Sequence, residues 1–289
     1  MLGSDSLQAQ RLLEAGEVVA IPTETVYGLA GNAYQEAVVC KIFRVKQRPR
    51  FDPLIVHAGC VAQIESFVKV FPKEAQQLAQ SFWPGPLTLL LPKKAIIPDV
   101  VTAGLPRVAV RIPCHQLTLC LLQALSFPLA APSANPFGYI SPTTPQHVRD
   151  QLGDKIPYIL AGGTCSIGIE STIVGFEQGR PIIYRLGGIS VEAIEQVMGP
   201  IMVANQATAR PQAPGRLLHH YAPQKPLKLG DIPMLIEQHS HQRLGILAFD
   251  RYYKGIDPSH QAILAPTARL EEAAQNLFAA LRKLDQIGR

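Results

Sequence analysis

The sequence predicts an α/β protein: a mixed sheet with flanking helices, followed by a smaller α/β unit. Three observations carry that class. Short apolar runs are interleaved with stretches of helical period along the chain. The run RVAVRIP (107–113) alternates strictly, as a strand with one buried face does. STIVGF and PIIYRLG flank Glu177-Gln178-Gly179, a hairpin signal that makes part of the sheet antiparallel.

Taken in order, 7–16 (LQAQRLLEAG) reads as a helix stopped by Gly16. EVVAIPTETVYGL opens as a short strand and turns at Pro22. Residues 34–46 place Val38, Ile42 and Val45 at helical spacing. PLIVHAG (53–59) is a buried strand, and 61–82 is helical with a break at Pro72. LTLLLP (87–92) is a strand, TLCLLQAL a short helix and PLAAPSAN a strand. Residues 201–226 are rich in Ala, Pro and Gln without a period, which predicts a linker after a first domain of residues 1–200. Residues 227–289 form the small domain: strands RLGILAF and AILAP, then a helix with Leu270, Ala274, Leu277, Leu281 and Leu284 on one face.

A length of 289 residues suits two domains or one large one, and 47% apolar with 17% charged residues excludes a disordered chain. Without an apolar run of membrane-spanning length, nothing is expected to cross a bilayer. The N-terminus has neither a basic start nor an apolar stretch, so no signal peptide is expected. Five cysteines without a CxxC pair argue against a disulfide framework or a zinc site and favour the cytoplasm. A net charge of +5 suits an anionic ligand or a transient nucleic-acid contact.

The phosphate loop GxxxxGK[ST], GxGxxG, HExxH and GxSxG are all absent. What remains is polar groups at strand ends. Pro22–Gly28 offers hydroxyls and free N–H groups, or simply turn chemistry. Lys46-Gln47-Arg48-Pro49-Arg50 closes a helix. Its cations either cap the helix C-terminus or, if extended, project Lys46 and Arg48 together onto a triphosphate. Alternation sets Arg107 and Arg111 on one face, a candidate carboxylate or phosphate site. Ala130–Asn135 presents Ser133 and Asn135 beside small residues, and the Gly-rich 162–172 segment makes either an anion nest or turns. Arg216, the adjacent His219 and His220, and Tyr221 lie in the linker, where a Tyr and a His can close over a pocket. No His-Asp partner accompanies Cys165, which argues against cysteine catalysis.

The ordered strings IPTETVYGL, KIFRVKQRP, PLIVH, FWPGPLTLLL, VAVRIPCH, APSAN, SPT, GIESTIV and HHYAP resemble the threonylcarbamoyl-adenylate synthases of the YrdC-like family, in its long form. The match is dense over 8–226 and loose over 227–289. The resemblance implies a YrdC-like twisted sheet with a basic concave face and a small Rossmann-like C-terminal domain. It implies that L-threonine, bicarbonate and ATP give threonylcarbamoyl-AMP and pyrophosphate. A partner transferase then modifies the adenosine beside the anticodon of tRNA, with a weak tRNA or double-stranded RNA contact. Matching positions assign threonine to Thr25, His57, Arg111, the backbone at Ala131, and Ser171. They assign ATP to Arg48, Asp52, Arg107, Ser133, Ser141, Arg185 and Tyr221, joined by Lys46 and Asn135 of the same motifs. Mg2+ is expected on the ATP phosphates rather than on a protein site. His57 is a candidate general base or a group orienting threonine. Asp52 and Arg107 depart from the residues common in the family at those positions. A non-catalytic RNA-binding factor lacks aromatic platforms here, and a hydrogenase-maturation carbamoyl transferase would carry further modules.

Overall fold

The computed structural model describes residues 1–204, 213–215 and 221–287. Arg216, His219 and His220 of the linker lie outside the described residues.

The main sheet contains, in chain order, β1 (Leu2–Gly3), β2 (Val19–Ile21), β3 (Gly28–Asn32), β4 (Ile55–His57), β5 (Leu87–Pro92), β6 (Arg107–Arg111), β7 (Leu129–Ala130), β8 (Tyr158–Leu160), β9 (Thr172–Glu177), β10 (Arg180–Arg185) and β11 (Met202–Val203). In space they run β1-β8-β2-β3-β7-β4-β6-β5-β9-β10-β11. The sheet is mixed as expected: β4 and β6 are parallel, β5 and β6 antiparallel, and β9–β10 is the hairpin around 177–179. Central β5 is apolar apart from Thr88 because both its faces are covered.

Helices α1 (Ser6–Glu14), α2 (Glu36–Lys46), α3 (Val61–Phe67), α4 (Lys73–Phe82), α5 (Asp99–Thr102), α6 (Gln116–Ala124), α7 (Pro145–Leu152) and α8 (Val191–Met198) surround the sheet. Local chemistry sets their ends. The Asp5 carboxylate accepts the first N–H groups of α1, and Thr144 with Pro145 opens α7. Pro72 separates α3 from α4. Val38, Ile42 and Phe43 of α2 pack with Leu29, Val56 and Val110 in the largest core. The opposite face of the central strands carries Ile55, Leu90, Ala109 and Ile173, and Ala213 reaches this cluster. That face is the floor of the site.

The small unit has α9 (Ile232–Gln238), a parallel pair β12 (Ile246–Ala248) and β13 (Gln261–Ile263), and α10 (Leu270–Gln286). Three expectations change here. The residues after 200 do not begin as a bare linker: β11 extends the sheet beside β10, too short to leave a period. The assigned apolar face of α10 holds only in part: Leu277 and Leu281 pack on the cluster with Phe278, but Leu270 is 75% exposed, and Ala280, Arg282 and Asp285 are buried as well. Finally, α10 packs against the first domain rather than only its own strands. Phe278 lies on Val26, Ile140 and the Tyr221 ring. Arg282 donates to the carbonyls of Ile140 and Ser141, and Tyr139 donates its hydroxyl to Asp285 at 2.7 Å. A helix gripped on two sides has no single apolar stripe for periodicity to find.

Contact is closest at Gly168. Its φ is +77°, and a Cβ there would stand 2.3 Å from the Gln275 carbonyl oxygen of α10. Gly168→Ala is therefore expected to destabilise the chain by about 1–3 kcal/mol. Thermal unfolding checks this; an unchanged Tm would show that α10 does not pack there.

Candidate active site

A cavity of about 50 Å3 opens over the floor formed by β4 and the end of β6. The loop after β2 builds one wall. Thr23 Oγ1 accepts the N–H groups of Thr25 and Val26, both at 3.2 Å, and its proton goes to the Val26 carbonyl at 2.6 Å. In the 2.9 Å contact between the Thr23 and Thr25 hydroxyls, Thr25 must therefore donate. Thr25 Oγ1 accepts in turn from Arg111 Nη1 at 2.8 Å. The segment thus does both things its sequence allowed: it is a hydrogen-bonded turn, and the turn presents a hydroxyl to the cavity.

Arg111 is 3% exposed and tied on three sides. Nε donates to the Gly85 carbonyl at 3.1 Å, Nη1 holds Thr25, and Nη2 pairs with the Glu24 carboxylate at 2.7 Å. The second Glu24 oxygen accepts the Cys114 N–H at 3.0 Å. A guanidinium fixed this way offers its remaining N–H edge to an incoming carboxylate without having to reorient.

Further cations meet at the other end. Arg48 donates to the carbonyls of Asp52 (3.2 Å) and Pro53 (2.8 Å) and pairs with the buried Asp52 carboxylate at 2.8 Å. Burial pushes the Asp52 carboxyl upward, and the adjacent Arg48 and Lys46 oppose that shift. Arg185 donates from Nε and Nη2 to the Ser171 carbonyl, and from Nη2 to the Ser171 hydroxyl at 3.0 Å. Its Nη1 reaches the Pro214 carbonyl at 3.3 Å. Ser171 Oγ also contacts Thr88 Oγ1 at 2.7 Å. Gly215, at φ +77°, lets the linker pass close over this corner; a Cβ there would stand 2.8 Å from the Tyr221 hydroxyl and 3.0 Å from Arg185.

The cavity gathers Thr25, His57, Arg111, Ala131 and Ser171, the threonine positions, with Arg48, Ser133, Arg185 and Tyr221 of the ATP set. Four more stand behind its wall. Lys46 does not project beside Arg48, because Gln47 takes a left-handed turn (φ 55°) and breaks any extended segment. Instead Lys46 Nζ donates to the Ser133 and Asn135 carbonyls, which pins that loop to α2. Asn135 turns its amide to the Pro136 and Tyr139 carbonyls, away from the face of Ser133. Asp52 backs Arg48, and Ser141 donates to Glu170. Arg107 is set apart. It shares a face with Arg111 but sits at the far end of β6, roughly 13 Å away at strand rise. There its guanidinium lies over the Tyr184 ring at 5.1 Å. Two residues without an assigned role emerge: Glu170, which lines the cavity, and Glu24, which stands behind it. Both sat inside quoted motifs, PTET and GIEST, where hydroxyls drew the attention.

His57 is 3% exposed, and burial together with nearby Arg111 holds its pKa down to about 3. Such an imidazole stays neutral in the folded chain and is a weak base, which favours orienting threonine over accepting its proton. In the unfolded chain the group titrates near pH 6.5. Between these values the unfolded state binds the extra proton, so stability falls as pH drops below about 6.5. The share of His57 is about 1.4 kcal/mol per pH unit across that window. The slope of unfolding free energy between about pH 6.5 and 5 is expected to flatten by about one proton in His57→Gln. Equal slopes would place a charged His57 in the folded protein.

Comparison with known proteins follows this geometry. The family model described as Telomere recombination matches residues 11–187, and that described as Threonylcarbamoyl-AMP synthase, C-terminal domain matches 189–289. The threonylcarbamoyl-AMP synthase of Pyrococcus abyssi is 40% identical, over 97% of this chain and 85% of its own length. That of Bacillus subtilis is 41% identical, over 96% and 84%. The crystal structure of P. abyssi Sua5 complexed with L-threonine superposes with a TM-score of 0.91 at 37% identity, covering 100% of this chain and 88% of that one. Escherichia coli YciO, at 20% identity and a TM-score of 0.59, shares the fold of the first domain. The chain belongs to the threonylcarbamoyl-AMP synthase family, in the form that carries the C-terminal domain.

Proposed function

We propose that the chain is an L-threonylcarbamoyladenylate synthase, forming threonylcarbamoyl-AMP and pyrophosphate from L-threonine, bicarbonate and ATP. The observation that carries this reading is one cavity lined by Thr25, His57, Arg111 and Ser171 and by the cations Arg48 and Arg185. A carboxylate anchor and a phosphate corner in the same enclosure suit a reaction that joins an amino acid to a nucleotide. A relative crystallised with L-threonine supports it.

In this reading the threonine carboxylate docks on Arg111, and its hydroxyl and amine face Thr25, His57 and Ser171. The amine captures carbon from bicarbonate to give a carbamate. A carbamate oxygen attacks the α-phosphorus in line, and pyrophosphate leaves towards Arg48 and Arg185. The protein contributes positioning and charge neutralisation. Among the described residues no group of three His, Cys, Asp or Glu side chains is placed to hold a metal. In this reading Mg2+ enters as part of the MgATP substrate, carried on its phosphates. Tyr221 and Pro214 cover the cavity and keep water from the mixed anhydride. The product would pass to a threonylcarbamoyl transferase acting on tRNA in the cytoplasm, with at most a weak tRNA contact by this chain.

Pyrophosphate release from MgATP with bicarbonate, measured with and without L-threonine, tests the reading. Threonine-dependent release is expected, with a fall on the order of 100-fold in Arg185→Ala as a phosphate contact is lost. Identical traces with and without threonine would refute it.

A further inference from the structure

Carbamate formation needs a free amine, but threonine arrives as an ammonium, so a proton has to leave. We propose that Glu170 is the group that takes this proton, a catalytic role resting on the synthase reading above.

The geometry singles Glu170 out among the titratable side chains at the cavity. The guanidinium groups of Arg48, Arg111 and Arg185 are donors only. The Tyr221 phenol is pushed upward by burial and stays neutral. His57 is held at about 3. Glu24 and Asp52 are committed to Arg111 and Arg48 and lie behind the wall. Glu170 lines the cavity directly, next in sequence to Ser171, whose carbonyl and hydroxyl are held by Arg185. One of its oxygens, Oε1, is fixed by the hydroxyl of fully buried Ser141. Among the described residues no hydrogen bond reaches Oε2, which is not buried in the wall. The carboxylate is thus held at one oxygen and free to accept at the other, the geometry that a general base needs.

The charges around Glu170 set its proton affinity. Arg185 of β10, Arg111 of β6 and Lys46 at the end of α2 act on its charge, as does Tyr221 of the linker, and Arg48 lines the same cavity. Burial raises the carboxyl, and Arg185, the Ser141 hydroxyl and Arg111 oppose that shift. Support comes also from the C-terminal domain. Arg282 of α10 holds the carbonyls of Ile140 and Ser141, and so fixes the hydroxyl that orients Glu170.

The step balances. The ammonium N–H bond breaks and its proton goes to Glu170 Oε2. The neutral amine then attacks bicarbonate carbon, an N–C bond forms, and one water leaves, giving the carbamate. The carbamate displaces pyrophosphate from ATP without further proton transfer, and the Glu170 proton returns to solvent with product.

The test is Glu170→Gln, which keeps the shape and the contact with Ser141. Two half-reactions are compared. Pyrophosphate release from threonine, bicarbonate and MgATP requires the proton acceptor; ATP formation from threonylcarbamoyl-AMP and pyrophosphate does not. The expected result is a loss of 100-fold or more in the first, with the second within about threefold of wild type. The first should also recover about tenfold per pH unit between about pH 7 and 9, as threonine supplies its own free amine. Wild-type activity with an unchanged pH profile would overturn the assignment. So would equal loss of both half-reactions, which marks a binding or folding role. Absence of threonine-dependent release by the wild type would instead overturn the synthase reading itself.

Discussion

Arg111 is a charge that the fold has to keep satisfied in order to keep folded. It sits at the end of a core strand with 3% of its surface exposed, and unpaired it would cost several kcal/mol. The fold answers with Gly85, Thr25 and Glu24. Those contacts dictate the path of the loop after β2 and fix the position of Thr25. They also tether the segment after β6 through Cys114. Satisfying one buried cation thereby assembles the threonine end of the cavity.

The same economy governs the opposite end. Lys46 and Arg48 leave one helix terminus and serve different ends: Lys46 locks the Ser133–Asn135 loop, while Arg48 faces the cavity backed by Asp52. An acidic residue beside a phosphate site looks unfavourable in isolation. Here its charge is spent on Arg48, which it orients, much as Glu24 orients Arg111. The C-terminal helix belongs to this scheme too. Phe278 supports Tyr221 above the cavity, and Arg282 holds the Ser141 loop beneath it. The small domain therefore supports the site although none of its described residues lines it.

Much of this was legible in the residues. The strand RVAVR, the helix ending at Lys46 and the hairpin at 177–179 each carry a strong local signal, and each is present. The threonine positions converge because they sit at the ends of neighbouring strands, although sheet order, with β7 between β3 and β4, differs from chain order. Other features had no local signature. Two-residue strands such as β1 and β11 exist only because a neighbour pairs with them. Arg107 and Arg111 share a face by alternation, but alternation is silent on which end of the strand meets the ligand. The direction of Lys46 depends on the left-handed turn at Gln47, which no spacing rule contains. Glu170 went unassigned because its role depends on Ser141, 29 residues away, and on a helix more than 100 residues further on.

The central claim is that one enclosure receives threonine on Arg111 and nucleotide phosphates on Arg48 and Arg185. A crystal structure of the chain with L-threonine and a non-hydrolysable ATP analogue tests it most directly. The account expects the threonine carboxylate within hydrogen-bond distance of the Arg111 guanidinium, with the α-phosphorus between the threonine amine and the Arg48–Arg185 corner. Threonine bound with its carboxylate on Arg185, or a nucleotide bound outside this cavity, would contradict it.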